Sequence, residues 1–175
     1  MSVHVFVDES VRGAYIMCAV LLRPTDLAET RKLLRGLCRP GQRRVHFAKE
    51  SNPRRRHVLA ELARTSLRAR VYLCHRNDQV AARRACVYRL AKDCVDAQAG
   101  RLVLESVSSL NGRDELAILD ALHDGGGLWD VPYAHMHAYE EPMLWPADAI
   151  AWAYGVGGDW LRRVDPLIEN IVAVP

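Results

Sequence analysis

The sequence predicts an α/β domain, in which short strands alternate with helices. Valines occupy alternate positions from Val3 to Val7, and a continuous apolar run covers residues 15–22, which together are typical of two strands. Further along, apolar residues recur at helical spacing in several segments that short apolar runs separate. Because the chain has 175 residues, half of them hydrophobic, we expect residues 1–175 to form one domain.

The first half of the chain predicts a hairpin followed by a helical insertion. Turn residues separate the two N-terminal strands, so that they can pair as a hairpin. Thr25 can cap one helix and Asn52 opens another, with a short extended piece at residues 45–47 between them. A third strand is predicted at Arg70–Cys74. A helical, basic insertion is therefore expected at about residues 24–67, between the second and third strands.

The second half predicts helix, strand, helix, strand and helix in that order. The longest helix begins at a cap formed by Asn77 or Asp78 and ends near Ala99. The remaining predicted elements are a strand at residues 102–104, a helix after Asn111, a strand at residues 133–139 and a final helix from Pro146 to about Val164. This alternation is typical of a layered α/β domain.

The composition argues against a membrane-spanning or secreted protein. The longest apolar runs are far shorter than the roughly 18–20 residues that a spanning helix needs. The N-terminal residues show no basic region followed by a small-residue cleavage site. The five cysteines are scattered and include no C-x-x-C pair, which is typical of reduced cysteines in a protein core. We therefore expect a cytoplasmic protein with no membrane partner.

Charge is distributed unevenly along the chain, although the net charge is only +3. Ten basic residues and one acidic residue lie between Arg31 and Arg56, which we call the basic arm. Twelve acidic residues and three arginines follow Arg101. Phosphates need cations and a metal centre needs carboxylates, so this division suits a protein that binds nucleic acid. For the arginines alone, solvated charge on helix surfaces is an equally good interpretation.

Three acidic residues are expected to meet at one edge of the sheet. Asp8 ends the first strand, Glu105 ends the strand after the long helix, and Asp148 lies near the start of the final helix. Functional groups of α/β sheets gather at the carboxyl ends of parallel strands. Converging carboxylates repel one another unless a cation lies between them, and their oxygens suit Mg²⁺ or Mn²⁺. Such ions promote phosphodiester hydrolysis, so the three acids are candidate metal ligands and catalytic residues.

Each of the three acids also has a structural interpretation. Asp8 can be a turn former that accepts hydrogen bonds from its own backbone. Glu105 can pair with an arginine at the surface. Asp148 is well placed to interact with the dipole at the helix N-terminus. What favours a functional role is their common position in the predicted sheet.

Four short motifs resemble the domain-of-unknown-function 3800 (DUF3800) family, which is grouped with the ribonuclease-H-like superfamily. They are V-D-E-S from Val7, V-H-F-A-K-E-S from Val45, L-E-S around Glu105 and W-P-A-D-A-I-A-W-A from Trp145. The similarity extends to about Tyr154. It implies a ribonuclease-H-like, five-stranded mixed sheet of order 3-2-1-4-5 flanked by helices.

The resemblance also implies roles for particular residues. Asp8 and Asp148 would belong to the metal site, and Glu105 stands where the family usually has an acidic residue. Two departures from the family pattern are visible, since Val11 replaces a usual glycine and Glu140-Glu141 replaces an aspartate followed by serine. Either Glu140 or Glu141 is accordingly an additional candidate metal ligand.

Further candidates lie beside these motifs. Glu9 adjoins Asp8 and is a candidate addition to the catalytic group. His46 can assist proton transfer or pack at a strand edge, and Lys49 can bind a phosphate. The consecutive Arg54, Arg55 and Arg56 open a helix, where the macrodipole disfavours positive charge, so that they are either phosphate-binding residues or a solvated face.

A pair of histidines is left open between two interpretations. His135 and His137 lie two residues apart on a predicted strand and therefore share a face. They can form part of a zinc site or simply face the surface.

The residues together predict a metal-dependent nuclease that hydrolyses phosphodiester bonds of nucleic acid. The alternative is a non-catalytic module that binds nucleic acid or protein with a degenerate site. The sequence does not decide between DNA and RNA, nor whether the chain acts as a homodimer or with a partner protein.

Overall fold

The computed structural model describes residues 2–126 and 131–175, and in them six strands and six α-helices. The strands are β1 (His4–Arg12), β2 (Ala14–Leu22), β3 (Arg68–Cys74), β4 (Arg101–Glu105), β5 (Tyr133–Met136) and β6 (Ile168–Val174). The α-helices are α1 (Leu27–Gly36), α2 (Asn52–Leu62), α3 (Gln79–Asp96), α4 (Asn111–Asp124), α5 (Leu144–Val156) and α6 (Gly158–Val164).

All six strands form one mixed sheet in the order β5-β4-β1-β2-β3-β6. β2 runs antiparallel to β1 and β3, whereas β4 is parallel to both β1 and β5, and β6 is parallel to β3. The predicted order 3-2-1-4-5 is contained in this arrangement, but the predicted count of five strands is wrong. The strand that was not predicted is β6, which lies at the sheet edge. Its pairing with β3, which is distant in sequence, is what distinguishes it from an apolar tail.

Three predicted boundaries also differ from the structure. The final helix is divided into α5 and α6 because Gly157 adopts a φ of +75°, which a continuous helix cannot contain. β5 ends at Met136 because a turn follows, in which the amide of Glu140 donates to the carbonyl of His137 at 2.9 Å. Residues 45–47 lie outside the sheet and lead into a short 3-10 helix, Phe47–Lys49.

The two faces of the sheet carry separate apolar layers. Phe6 of β1 belongs to a buried cluster that includes side chains of α1, α2 and α5. Val5 and Val7 belong to a second cluster, with α3 and α4. Because successive residues of a strand point to opposite faces, Asp8 lies on the α5 face and Glu9 lies on the α3 face.

α5 is almost wholly buried and packs against β1 and β2. Its start is held by Trp145, whose indole N–H donates to the carbonyl of Ala138 at 2.6 Å. Asp148 is an acidic residue in this otherwise apolar helix. None of the helices in the described ranges is both long enough and apolar enough to cross a membrane.

Candidate functional site between β1 and the carboxyl end of β4

Asp8 and Glu105 lie side by side on neighbouring strands, Glu105 at the end of β4 and Asp8 in the middle of β1. The prediction that Asp8 ends the first strand is wrong, because the pairing of β1 with β2 continues past it to Arg12. β1 and β4 are parallel and Val7 is paired with Leu104, so the residues that follow occupy equivalent positions. Asp8 is buried. Burial raises the pKa of the Asp8 carboxyl well above its usual value, and a side-chain hydrogen bond with Glu105 raises it further. The shared hydrogen bond favours a protonated Asp8 as the donor.

α5 places Asp148 next to this pair. Its Oδ2 accepts a hydrogen bond from the backbone amide of Phe47 at 3.1 Å. Burial raises the pKa of Asp148, although the Phe47 amide and the charges of His46 and Arg44 act in the opposite direction. The negative charge of Asp148 in turn raises the pKa of Asp8. The three acidic groups therefore form one electrostatic unit whose negative charge is only partly compensated.

Arg44 of the basic arm is the cation that contacts these acids. Its Nη1 donates to Oε1 of Glu105 at 3.1 Å, and its Nη2 lies 3.8 Å from Oδ2 of Asp148. Its Nε is buried and has no hydrogen-bond partner among the described residues. In the sequence, Arg44 is one of several arginines in the basic arm. The signal that could have singled it out is its position immediately before the V-H-F-A-K-E-S motif.

Within residues 2–126 and 131–175, no group of three or more His, Cys, Asp or Glu side chains is arranged to hold a metal ion. Glu141, a candidate ligand, is engaged elsewhere. Its two oxygens accept hydrogen bonds from Nε and Nη2 of Arg31 at 3.0 and 2.6 Å, and Oε1 also accepts from the amide of Met143. This partly buried pair joins α1 to the turn that precedes α5. Glu140 is exposed and accepts from the amide of His137.

Glu9 lies on the opposite face of the sheet, where it pairs with Arg83 of α3. Arg83 also donates twice to Asp114 of α4, at 2.9 and 2.8 Å, and Asp114 in turn lies 3.1 Å from Nε2 of His135. Burial raises the pKa of Glu9 against the opposing charge of Arg83. For Asp114, the hydrogen bonds from His135 and Arg83 outweigh burial and lower the pKa.

The two histidines left open by the sequence therefore have different surroundings. His135 belongs to the charged network beneath the α3 face. His137 lies beyond the end of β5, is exposed, and stacks on Tyr139. They do not share a strand face, because the strand ends between them.

The candidates in the basic arm divide into buried and exposed groups. His46 has a buried Nδ1 without a hydrogen-bond partner in the described part of the chain, and its charge acts on Asp148. Lys49 and Arg56 are exposed, and neither forms an ion pair with a described residue.

Arg54 and Arg55 instead hold the arm in place. Arg54 donates to the carbonyl of Leu37 and forms an ion pair with Glu50. Arg55 donates to the carbonyls of Phe47 and Ala48, and its guanidinium lies 4.4 Å from the ring centroid of Trp152. The helix dipole alone does not predict these partners. They belong to the segment before α2, which folds back onto the helix.

Acidic residues on two adjacent parallel strands, within a mixed sheet covered by helices on both faces, define an α/β protein. The structure is similar to that of RNase HII from Archaeoglobus fulgidus, solved in a complex with PCNA, with a TM-score of 0.60. The match covers 94% of this chain and 76% of that chain at 17% sequence identity, so the likeness is one of fold.

Comparison of the sequence itself gave no further relatives. No protein-family model matches the sequence, and no curated protein matches it. The structural likeness supports the ribonuclease-H-like part of the predicted classification, while membership of the DUF3800 family stays a prediction.

Proposed function

We propose that this chain is a metal-dependent nuclease that hydrolyses phosphodiester bonds of nucleic acid. The observation that carries the proposal is the juxtaposition of Asp8 and Glu105 on adjacent parallel strands, with Asp148 beside them on α5. The similarity in fold to a ribonuclease HII supports this class of reaction.

Asp8, Glu105 and Asp148 are the proposed ligands of Mg²⁺ or Mn²⁺. Their donor atoms are all carboxylate oxygens, which hard divalent cations prefer. Burial, together with the charges of the neighbouring acids, raises the pKa of Asp8 and of Asp148. A divalent cation would supply positive charge, together with the Lewis acidity that assists attack of water on a phosphodiester. The described side chains are not arranged around an ion as they stand, and Arg44 contacts Glu105 and Asp148, so Arg44 would compete with such a cation.

The surrounding residues have distinct proposed roles. His46 is a candidate proton-transfer group. Its buried Nδ1 has no hydrogen-bond partner among the described residues, and the residue is close enough to Asp148 to lower the pKa of that carboxyl group. Lys49 and Arg56 are candidate phosphate-binding residues, because both are exposed on the basic arm.

Other candidates are better explained by their structural partners. Arg54 and Arg55 would affect substrate binding mainly by holding the arm in place, since their guanidinium groups bind backbone carbonyls. Glu9 and Glu141 are left out of the ligand set because Arg83 and Arg31 already neutralise them.

The test is cleavage of single-stranded and duplex DNA and RNA with Mg²⁺ or Mn²⁺. We expect cleavage to fall on the order of a hundredfold or more in Asp8→Asn and Asp148→Asn, because each removes a ligand charge. Asp120→Asn, which changes an exposed acid of α4, is the matched control and should cleave normally. Equal cleavage by Asp8→Asn, or cleavage that persists in a chelator, would overturn the proposal.

The second candidate function is a non-catalytic module that binds nucleic acid or a partner protein. It is favoured by the Arg44 guanidinium between Glu105 and Asp148, which already supplies a cation there. It predicts salt-sensitive binding without cleavage. Calorimetric titration with Mn²⁺ separates the two functions, because only a metal enzyme should show a binding heat that disappears in Asp8→Asn.

A further inference from the structure

Three flat side chains form an exposed stack next to the carboxylates. The rings of His137 and Tyr139 have centroids 5.1 Å apart and planes within 10° of parallel. The guanidinium carbon of Arg43 lies 4.2 Å from the centroid of the Tyr139 ring. All three residues are exposed, and Tyr139 retains 45% of its accessible surface. We call Arg43, Tyr139 and His137 the aromatic stack.

The aromatic stack is fixed by a tight turn. The amide of Glu140 donates to the carbonyl of His137 at 2.9 Å, and the Glu140 carboxylate accepts from the amide of His137 at 2.9 Å. Ala138, the residue between His137 and Tyr139 in sequence, is buried, and its carbonyl accepts a hydrogen bond from the indole of Trp145. The turn is therefore anchored to the core while Tyr139 stays accessible. A single exposed aromatic residue is ordinary, but an anchored, parallel stack is preorganised for a planar ligand.

Two connections join the aromatic stack to the carboxylates. Arg43 lies over Tyr139, while the next residue, Arg44, is hydrogen-bonded to Glu105. On the other side, the amide of Ser106 donates to the carbonyl of Met136 at 2.9 Å, so the residue after Glu105 is bonded to the residue before His137. The aromatic stack therefore lies beside the candidate site.

We propose that the aromatic stack binds an unpaired base, and that the substrate is nucleic acid with a single-stranded segment at the site. This inference rests on the proposed nuclease function and names its substrate class. An aromatic ring or an arginine plane stacks on bases of any sequence, but only a base free of its neighbours offers a face. Arg43 forms no ion pair with a described residue, so its charge is available to the phosphate backbone.

Binding is measured by fluorescence anisotropy in a chelator, with labelled single-stranded DNA and RNA and with a blunt duplex of the same sequence. Tyr139→Ala should weaken single-strand binding roughly fivefold to a hundredfold, the range for loss of one stacked base. Tyr139→Phe keeps the ring and should bind like the unchanged protein. Tyr88→Ala is the matched control, because Tyr88 also lies beside a cation, Lys92, but on α3.

A fluorescent adenine analogue in the single strand gives a second readout, since its emission falls when it stacks. We expect quenching with the unchanged protein and with Tyr139→Phe, and its loss with Tyr139→Ala. Unchanged single-strand binding by Tyr139→Ala, or an equal loss for the duplex, would overturn the inference.

The outcome is separable from that of the proposed function. If binding depends on Tyr139 but the protein never cleaves, the proposed nuclease function is overturned and base binding by the aromatic stack is supported. If cleavage depends on metal and Tyr139→Ala binds single strands normally, only base binding by the aromatic stack is overturned.

Discussion

Arg44 donates a hydrogen bond from Nη1 to Oε1 of Glu105 at 3.1 Å, and so joins the basic arm to the acidic edge of the sheet. The same guanidinium lies 3.8 Å from Asp148. Both acids are therefore partly neutralised by a side chain of the same protein. The contact has consequences for stability and for metal affinity that can be measured independently of cleavage.

Arg44→Ala should destabilise the metal-free protein and tighten its binding of Mn²⁺. The loss of stability should be about 1–2 kcal/mol, between the values for exposed and for fully buried ion pairs. Metal affinity should rise because a competing cation is removed. Denaturation in a chelator and calorimetric titration with Mn²⁺ measure the two effects. Arg43→Ala is the control, because Arg43 contacts Tyr139 and should leave Mn²⁺ affinity unchanged; equal affinity in both variants would contradict competition by Arg44.

Asp8→Asn should stabilise the metal-free protein at neutral pH. Burial and the neighbouring acids raise the pKa of Asp8 on folding, so its contribution to stability is complete below the unfolded pKa and lost as pH rises through the folded pKa. Asparagine keeps the shape and the donor without the charge. We expect a gain of about 1–3 kcal/mol at neutral pH that shrinks towards about pH 4.

Urea denaturation in a chelator across this pH range measures the gain from Asp8→Asn. Asp120→Asn, in an exposed pair, should show no such trend. A gain that increases towards acid pH would show that the pKa of Asp8 is not raised.

Arg83→Ala should be strongly destabilising, because it leaves Glu9 and Asp114 as uncompensated acids beneath the sheet. The side chains of Arg83 and Asp114 are only 3% and 1% exposed. Breaking a buried pair of this kind costs about 3–5 kcal/mol. Arg84→Ala changes the next residue of α3, whose pair with Asp120 is exposed, and should cost at most about 1 kcal/mol. The urea midpoints of the two variants measure the difference, and similar midpoints would contradict the buried network.

Gly157→Ala should destabilise the protein by about 1–2 kcal/mol, because a residue with a side chain is strained at its φ of +75°. Gly112→Ala is the matched change in α4, where an added methyl group would meet no atom within 4 Å. It should instead stabilise by about 0.5–1 kcal/mol. Thermal denaturation should move the two midpoints in opposite directions, and a rise for both would show that Gly157 is not strained by substitution.

Local patterns predicted most of the sheet. The alternating valines before Asp8 and the apolar run before Glu105 predicted the strands that carry both acids, and Glu105 ends β4 as predicted. Asp8 was expected at a strand end but lies within β1, because pairing with β2 continues the strand to Arg12. Because successive side chains of a strand point to opposite faces, the sequence was sufficient to place Glu9 opposite Asp8. The prediction of Glu9 as an addition to the catalytic group did not use this alternation. β6 was missed because its pairing with β3 depends on a contact with a distant part of the chain.

The partners of the charged residues could not be predicted in the same way. Arg44, Arg54 and Arg55 belong to one run of charge, but the first reaches Glu105 while the other two bind backbone carbonyls of the arm. Which arginine meets which acceptor depends on how the arm folds back over the sheet.

The amino-acid sequence by itself determined the strands and helices that bring Asp8, Glu105 and Asp148 into the protein, because hydrophobic periodicity and turn residues act between near neighbours. The tertiary structure alone decided that Arg44 lies between two of these acids and that Arg43 covers Tyr139. The physical reason is that ion pairs and ring stacking depend on distances of a few ångströms between side chains far apart in sequence.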